Sequence, residues 1–392
     1  MTEDGGVKGL CAPGFEPVRS ALAEILGAGA EVGAALAVCV DKRPVLDLWA
    51  GHTDLERTRP WGRDTIVNLF SVGKAVTAIC ALRLVEAGLL DLEAPVARYW
   101  PEFAQGDKGG ILVRQLLTHQ AALPAVARPL PSGAWSRWDV ITEALAAQAP
   151  WWEPGKGHGY HVNTQGFLVG EIARRVTGRT LGAYLRESLA GPAGVDFFIG
   201  FGPELDARCA DLLPPPPNPD TEALARQLSM DPADLSGLDL MRLNAYRNPP
   251  EFSGTGVVNT RAWRAAEVPS TNGHGNARAV ARLFSALAGD GRLDGIHVLS
   301  PETVARAAEE QVYGEDIVLQ RPTRFGLGFQ LTMPERPLGP NPRAFGHFGA
   351  GGSLGFADPD AHVAIGYAMN QGRGGWQFKH VRHLIDLVYA AL

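Results

Sequence analysis

The chain has little lysine and no cluster of basic residues. Six lysines stand against thirty scattered arginines, and the formal net charge is -6. A nucleic-acid-binding surface needs clustered positive charge, so this composition argues against nucleic acid as a partner. Long apolar runs are also missing, because no uncharged stretch approaches the ~18 residues of a membrane-spanning helix. The sequence therefore predicts no membrane partner.

Cysteine is scarce too, and its spacing matches neither a metal site nor a redox motif. Four cysteines predict buried thiols: Cys11, Cys39, Cys80 and Cys209. The first six residues are acidic and polar, which differs from the basic start and apolar run of a secretory signal. We therefore expect a cytoplasmic protein.

The length and composition predict a globular protein with two structural lobes. The chain has 392 residues, of which 45% are hydrophobic and 20% charged. Strand patterns lie near both ends, and helical patterns prevail from 71 to about 190. A proline-rich, weakly periodic stretch over 214–269 predicts an irregular excursion or a lid. We expect an α/β domain formed by 1–65 and 270–392, and a mostly helical domain over 66–269.

Individual elements can be placed from periodicity and turn residues. We predict helices over 15–27 and 276–287 and a closing helix marked by four apolar residues, Val381, Leu384, Ile385 and Val388. The predicted strands are 33–40 and 44–50, joined by a turn at 41–43, and then 325–332, 354–356 and 363–369.

The most informative motif is Ser71-Val72-Gly73-Lys74, where a strand-like run ends and a helix begins. A serine hydroxyl is a weak nucleophile until a base removes its proton, and a neutral lysine one turn later can be that base. Apolar residues recur every three or four positions from Val72 to Gly88, which predicts an amphipathic helix. Ser71 and Lys74 would then share its first turn, where free N–H groups favour an oxyanion. The alternative is a capping serine followed by a surface lysine.

Two other patterns compete with this motif. Gly351-Gly352-Ser353-Leu354-Gly355 fits the nucleophile elbow G-x-S-x-G, but the following sequence predicts a turn at 358–360 and a strand instead of the required helix. We therefore do not expect Ser353 to be a nucleophile. Two H-x-x-H pairs lack an accompanying carboxylate or cysteine, so they do not predict a metal site: His158, His161, His380 and His383. His119 and His274 are expected to be structural hydrogen-bonding residues in turns.

Five motifs together occur in an order typical of serine β-lactamases and penicillin-binding proteins. They are Phe70-Ser71-Val72-Gly73-Lys74, Leu89-Leu90-Asp91-Leu92-Glu93-Ala94-Pro95-Val96, Val113-Arg114-Gln115-Leu116-Leu117-Thr118-His119, Tyr160 after Trp152-Glu153-Pro154-Gly155, and His347-Phe348-Gly349-Ala350-Gly351-Gly352. From about 15 to 390 the chain most resembles family VIII carboxylesterases, which share the class C β-lactamase fold. The resemblance implies an α+β fold, in which helices flank an antiparallel sheet and a helical domain is added.

The resemblance also implies a chemical role for Tyr160. A phenol with a pKa of about 10 acts as a base near neutral pH only if a cation such as Lys74 favours its phenolate. The two groups could then share one mobile proton. The β-lactamase pattern places an asparagine two positions after this tyrosine, whereas here Val162 stands there and Asn163 follows. This departure leaves the asparagine's role in holding a substrate amide open.

His347-Phe348-Gly349 stands where β-lactamases have Lys-Thr-Gly, whose first two residues bind an acidic group. A histidine with a pKa of about 6.5 is mostly neutral at pH 7, and phenylalanine has no hydroxyl, so we expect weak carboxylate recognition. Gly349 would let a strand edge approach the substrate. The Ala350 N–H would form an oxyanion hole with that of Ser71.

The resemblance implies a serine esterase that hydrolyses short-chain carboxylic esters through an acyl-enzyme on Ser71. Lys74 and Tyr160 would take the proton, a small-molecule ester would be the partner, and no cofactor or metal would be needed. One alternative is a β-lactamase or D-alanyl-D-alanine peptidase, which the missing export signal and the altered Lys-Thr-Gly site disfavour. Another is a non-catalytic binding protein, disfavoured because nucleophile, lysine and tyrosine are all present. The sequence makes no prediction of oligomeric state.

Overall fold

The structure is a computed structural model that describes residues 6–252, 254, 256–375 and 378–392. Its strands are β1 (Lys8–Cys11), β2 (Gly33–Val40), β3 (Arg43–Gly51), β4 (Val67–Asn68), β5 (Phe197–Phe198), β6 (His274–Gly275), β7 (Arg292–Leu293), β8 (Ile296–His297), β9 (Val312–Glu315), β10 (Pro322–Phe325), β11 (Gln330–Leu331), β12 (Phe345–Phe348), β13 (Leu354–Asp358) and β14 (Val363–Met369). Its helices are α1 (Glu16–Gly27), α2 (Val72–Glu86), α3 (Val113–Leu117), α4 (Trp138–Ala147), α5 (Thr164–Thr177), α6 (Leu181–Leu185), α7 (Pro219–Leu228), α8 (Gly237–Arg247), α9 (Arg261–Ala265), α10 (Ala277–Ala288), α11 (Pro301–Ala307) and α12 (Lys379–Ala390). Within these ranges, no helix combines the length and apolar character needed to cross a membrane.

The main sheet takes its strands from both ends of the chain. It has nine strands in the order β1-β3-β2-β14-β13-β12-β11-β10-β9, and neighbouring strands run antiparallel. The N-terminal and C-terminal strands meet where β2 pairs with β14, with Val38 opposite Ile365. These pairings support the predicted division into a domain of 1–65 with 270–392 and a domain of 66–269. The division itself stays a prediction.

Alternate residues of β2 belong to two hydrophobic cores on the two faces of this sheet. Leu36 and Val38 pack with α1 and α12, whereas Ala35 and Ala37 belong to the core that contains α2 and α10. Side chains alternate between the faces of a strand, so a strand covered on both faces is apolar throughout. Burial of each large aliphatic side chain contributes about 1.5–3 kcal/mol. The two cores therefore hold both ends of the chain in one sheet.

Most of the predicted elements near the termini are confirmed. α1, α10 and α12 cover the predicted helices, and β13 and β14 cover two of the predicted strands. β2 and β3 form the predicted hairpin. Its turn contains Asp41 and Lys42 with φ angles of 48° and 63°, and positive φ at both central residues is characteristic of a type I′ hairpin turn.

The prediction of one strand over 325–332 is wrong. Phe325 ends β10 and Gln330 begins β11, and the chain turns between them. Gly328 in this turn has a φ of 84°, and a Cβ added there would lie 2.3 Å from the Cβ of Ala78 in α2. The turn therefore approaches α2 more closely than a residue with a side chain would allow. This turn divides the predicted strand into β10 and β11.

The predicted helix after Ser71 is confirmed as α2, but its predicted amphipathic character is wrong. Every residue from Val72 to Leu82 is buried. The helix contacts β12 of the sheet as well as α5, so both of its sides are covered. A lysine in its first turn is therefore carried into the interior of the protein.

The 214–269 stretch is more regular than predicted, because it contains α7, α8 and α9. Met241 and Ala245 of α8 share a buried apolar cluster with Tyr160 and Val162. This stretch therefore reaches the candidate site. Helices thus stand where an irregular excursion was one of the two predicted forms, and the other form, a lid, stays a prediction.

Candidate active site

Ser71 lies at a strained junction between β4 and α2. It is the N-cap residue of α2 and is 8% exposed. Phe70 before it has a φ of 46°, in the left-handed region that costs a residue with a side chain on the order of 1–3 kcal/mol. A bridge between Phe70 and Asn272 holds this conformation. The turn therefore presents Ser71 at the start of the helix, as the sequence predicted.

Lys74 places its amine directly beside Ser71. Its Nζ lies 3.2 Å from Ser71 Oγ, 2.6 Å from the carbonyl oxygen of Val162 and 3.1 Å from that of Ser270. Complete burial of the side chain lowers the pKa of Lys74 well below its usual value. A neutral amine has two N–H groups for the two carbonyls and one lone pair for the Ser71 hydroxyl. The geometry therefore suits removal of the Ser71 proton.

Tyr160 completes the group, but in its neutral form. Lys74 Nζ lies 4.7 Å from the centroid of its ring. Burial raises the pKa of Tyr160, and this effect exceeds the lowering caused by a hydrogen bond with Ser71. The hypothesis that Lys74 favours the phenolate is therefore wrong, because both groups are buried and both prefer the uncharged form. The phenol of Tyr160 and the amine of Lys74 are therefore both uncharged.

Three consecutive backbone N–H groups hold Tyr160 in place. The N–H of Gly159 donates to the carbonyl oxygen of His119 at 3.0 Å. The N–H of His161 donates to His119 Nδ1 at 3.1 Å. The N–H of Tyr160 itself lies 3.0 Å from each carboxylate oxygen of Asp316. The predicted structural role of His119 is confirmed. Asp316 was missed, because a single aspartate far along the chain carries no motif.

The end of β12 lies against the residues that precede Ser71. A Cβ added to Gly349 would lie 2.4 Å from the carbonyl oxygen of Leu69, so only glycine allows this approach. Ser353 is fully buried, and its hydroxyl donates a hydrogen bond to the same Leu69 carbonyl oxygen at 2.9 Å. Ser353 is thus held in a structural contact, which agrees with its exclusion as a nucleophile.

Two backbone N–H groups are available for an oxyanion. Ser71 caps α2, and Ala350 begins a single 3₁₀ turn, so neither N–H has a partner inside its own helix. The N–H of Gly349, by contrast, already donates to the carbonyl of Ser353 at 2.7 Å. Ala350 is therefore the better donor at the end of this strand.

His347 and Phe348 form the rest of this edge. His347 is fully buried and donates from Nδ1 to the Phe348 carbonyl at 2.7 Å, while its Nε2 has no hydrogen-bond partner in the described part of the chain. Burial holds the pKa of His347 well below 6.5, so the ring is neutral at pH 7. Its ring centroid lies 6.1 Å from that of Tyr160.

Arg336 was not predicted from the sequence. Its guanidinium carbon lies 3.7 Å from the centroid of the Phe348 ring, a cation–π geometry. Burial and then the charge of Arg321 lower the pKa of Arg336 to about 9, which keeps it a cation at pH 7. The edge where β-lactamases carry Lys-Thr-Gly therefore has a positive charge after all, supplied by another segment.

Val162 and Asn163, which follow Tyr160 in the chain, make structural contacts. Val162 contributes its carbonyl to Lys74, so its side-chain type matters little there. Asn163 donates from Nδ2 to the carbonyl of Ala245 at 3.0 Å and accepts from the hydroxyl of Thr271 at 3.1 Å. Asn163 therefore links α8 to the segment that carries Ser270, which explains its burial.

The remaining histidines and the cysteines are separate from this site chemistry. His161 accepts from the N–H of Leu123, and His274 contacts the carbonyl of Asn272. His158 contacts the Thr323 hydroxyl, and His380 contacts Glu31. Across the described ranges, no group of three or more His, Cys, Asp or Glu could hold a metal ion. The cysteines are free thiols, of which Cys11 is partly exposed and the others are buried: Cys39, Cys80 and Cys209.

Comparison with known proteins identifies the family. Residues 18–390 match the β-lactamase family. The chain belongs to the β-lactamase family. A crystal structure of a family VIII carboxylesterase is 39% identical, covers 98% of this chain and 100% of its own, and has a TM-score of 0.89. A penicillin-binding protein homolog from Caulobacter crescentus is 37% identical, with 98% and 100% coverage and a TM-score of 0.88.

A sequence relative extends this comparison. The esterase/β-lactamase LipL of Mycobacterium tuberculosis is 33% identical over 378 residues, which cover 93% of this chain and 83% of LipL. The predicted resemblance to family VIII carboxylesterases and the predicted α+β, β-lactamase-like fold are confirmed.

On the acid side of the pH profile, kcat/KM should follow the protonation of Lys74. Because burial lowers the pKa of Lys74 below the usual 10.5, the amine is neutral above that lowered value, and activity falls as the pH drops through it. We expect kcat/KM for a neutral aryl ester to reach its plateau at a pH well below 10.5 and to decline about tenfold per pH unit on the acid side of the lowered pKa. A pH profile measures this, with Lys156→Met, at an exposed lysine, as the unchanged control. A plateau that begins only above pH 10 would contradict a neutral Lys74.

Proposed function

We propose that this protein hydrolyses short-chain carboxylic esters through an acyl-enzyme on Ser71. The protein is a serine esterase of the β-lactamase superfamily. The observation that carries the proposal is the 3.2 Å contact between Ser71 Oγ and a lysine amine that burial keeps neutral. The family VIII carboxylesterase and the esterase LipL among its relatives support this activity. A cytoplasmic location stays a prediction from the sequence.

In the acylation step, Ser71 Oγ attacks the ester carbonyl carbon and its proton passes to Lys74 Nζ. The Ser71 and Ala350 N–H groups stabilise the oxyanion that forms. When the tetrahedral intermediate collapses, the bond to the alcohol oxygen breaks and that oxygen takes a proton from the Tyr160 hydroxyl. Lys74 returns its proton to Tyr160. The released alcohol thus carries the proton that Tyr160 gave, and the proton of Ser71 replaces it on Tyr160.

In the deacylation step, water attacks the acyl carbon and gives its proton to Lys74. The bond to Ser71 Oγ breaks, Ser71 recovers a proton from the Tyr160–Lys74 pair, and the carboxylic acid leaves. Both steps use the same base and the same two N–H donors. No cofactor takes part in this scheme.

The surroundings of Tyr160 suit a small uncharged acyl group. Its ring belongs to an apolar cluster that includes residues of α8, of β10 and of the segment between β9 and β10: Ala125, Val162, Met241, Ala245, Val318 and Phe325. An alkyl chain bound here leaves water without exposing a charge, so the polar contacts remain available for the transition state. We therefore assign acetyl to butyryl esters as substrates.

One observation favours β-lactam hydrolysis as a second activity. Arg336 provides a cation at Phe348, where the sequence predicted weak recognition of a carboxylate. A guanidinium group binds carboxylates through charge-assisted hydrogen bonds. We therefore keep β-lactam acylation as a secondary reaction that depends on Arg336.

Removal of any member of the catalytic group should lower ester hydrolysis. Ser71→Ala should abolish it, and Lys74→Ala and Tyr160→Phe should each cost about 10² to 10⁴ in kcat. Because the two groups share one proton, the double variant should be little worse than either single variant. The measurements are kcat on a butyrate ester and peptide mapping after fluorophosphonate labelling. Labelling of Ser353 instead of Ser71 would overturn the assignment, and Ser132→Ala, at an exposed serine, is the matched control.

The second oxyanion donor can be tested through the backbone. Ala350→Pro deletes the N–H and should reduce kcat by about 10² or more, whereas Ala350→Ser retains it and should stay close to wild type. Circular dichroism checks that the proline variant is folded. A folded proline variant with full activity would show that another group stabilises the oxyanion.

Arg336 should separate the two activities. The wild type should have a higher kcat/KM on a butyrate ester than on a chromogenic cephalosporin. Arg336→Gln should lower the cephalosporin value about tenfold, the scale of a lost hydrogen bond to a charged group, and change the ester value less than threefold. Arg343→Gln, whose partner is Asp360, is the control. Equal or greater efficiency of the wild type on the cephalosporin would instead assign the protein to the β-lactamases.

A further inference from the structure

A buried carboxylate lies directly behind the candidate acid–base residue. Asp316 is fully buried, and both of its carboxylate oxygens lie 3.0 Å from the backbone N–H of Tyr160. The N–H groups on either side, those of Gly159 and His161, are both bound to His119. Asp316 therefore completes the support of three consecutive residues.

The same carboxylate organises the segment between β9 and β10. Oδ1 also accepts from the N–H groups of Val318 and Leu319, at 2.9 Å each. Oδ2 accepts from the Thr323 hydroxyl at 3.1 Å, and that hydroxyl lies 2.7 Å from His158 Nε2. One side chain thus joins residues 316–323 to the strand-like segment that carries Tyr160.

These contacts require an acceptor at both oxygens. Each hydrogen-bond partner named above donates, which fits an ionised carboxylate because it has only acceptors. The titratable and charged groups around it are His158, with Nε2 at 3.9 Å from Oδ2, and Tyr160, Tyr246 and Arg321. A buried charge adds little net stability compared with an apolar residue of similar size. Its position behind Tyr160 therefore points to function.

We propose that Asp316 is a positioning residue for Tyr160. It holds the Tyr160 backbone so that the hydroxyl stays bonded to Ser71 and the ring stays against Lys74 Nζ, and it couples this orientation to the segment between β9 and β10. Val318 of that segment packs in the same apolar cluster as the Tyr160 ring. The proposal goes beyond the proposed function and rests on its assignment of Tyr160.

The test compares Asp316→Asn with a matched buried aspartate. The amide places an NH₂ group against donors, so Tyr160 loses part of its support. Small misplacements of catalytic groups cost up to about 10² in rate. We expect kcat on a butyrate ester to fall about 10- to 100-fold while KM changes less than threefold. A folded Asp316→Asn variant with kcat within threefold of wild type would overturn the proposal.

Asp358→Asn is the control. Asp358 is also fully buried and accepts from Asn341 Nδ2 at 2.9 Å, from the N–H groups of Asp360 and Ala361 at 3.0 and 3.2 Å, and from the Tyr389 hydroxyl. It therefore loses a comparable set of contacts, but it lies at the end of β13 remote from Gly349. We expect a similar decrease in Tm with kcat unchanged. If Asp358→Asn lowered kcat as much as Asp316→Asn, general destabilisation would explain both losses and would contradict the proposal.

A double-mutant cycle identifies the residue through which Asp316 acts. In a Tyr160→Phe background, Asp316→Asn should lower kcat by less than threefold, because the hydroxyl that it positions is already gone. An undiminished loss in that background would show that Asp316 acts elsewhere and would overturn the proposal.

Two further measurements cover the remaining cases. If Asp316→Asn does not fold, Thr323→Val removes only the hydroxyl that bridges Asp316 and His158. It should lower kcat about two- to tenfold in the wild type and not in the Tyr160→Phe background, and a folded variant with unchanged kcat would contradict the proposal.

The rate of Ser71 labelling by a fluorophosphonate repeats each comparison without an ester. Failure of the proposed function would appear separately, as a wild type without Ser71-dependent ester turnover.

Discussion

The burial of Lys74 is the constraint on which the candidate site depends. A buried ammonium loses its hydration at a cost of several kcal/mol, so the side chain is held as a neutral amine. Its N–H groups then need acceptors, and the carbonyls of Val162 and Ser270 provide them. These residues precede α5 and β6, respectively, while Lys74 lies in α2. Three distant segments must therefore converge before Ser71 has a base.

The same burial keeps the centre of the site free of charge. Tyr160 and His347 prefer their neutral forms, and burial lowers the pKa of His161 to about 3. Charged side chains lie at the edge, where Arg336 is over Phe348, and behind Tyr160, where Asp316 contacts its backbone. An oxyanion formed beside Ser71 would thus be stabilised by preoriented N–H dipoles in surroundings that screen it weakly.

One departure from the β-lactamase pattern, Val162, falls where the backbone contributes the contact. Val162 uses its carbonyl, and Gly349 and Ala350 contribute a close approach and an N–H. A backbone contact tolerates a change of side chain, as long as the conformation is kept. These backbone contacts are therefore compatible with His347 and Phe348 in place of Lys-Thr.

The sequence alone brought the proposed nucleophile and its proposed base together, because Ser71 and Lys74 are neighbours on one helical turn. It also determined the terminal hairpin and helices, whose periodicity is local, and Tyr160 through its resemblance to a known family. Only the tertiary structure decided that α2 is covered on all sides and that a turn at Gly328 divides 325–332. The tertiary structure also decided the contacts of Asp316 and Arg336, because each residue meets its partner only through long-range packing. Periodicity reports one element at a time, and backbone acceptors such as Ser270 leave no residue-type signal, so these contacts appear only when the segments pack together.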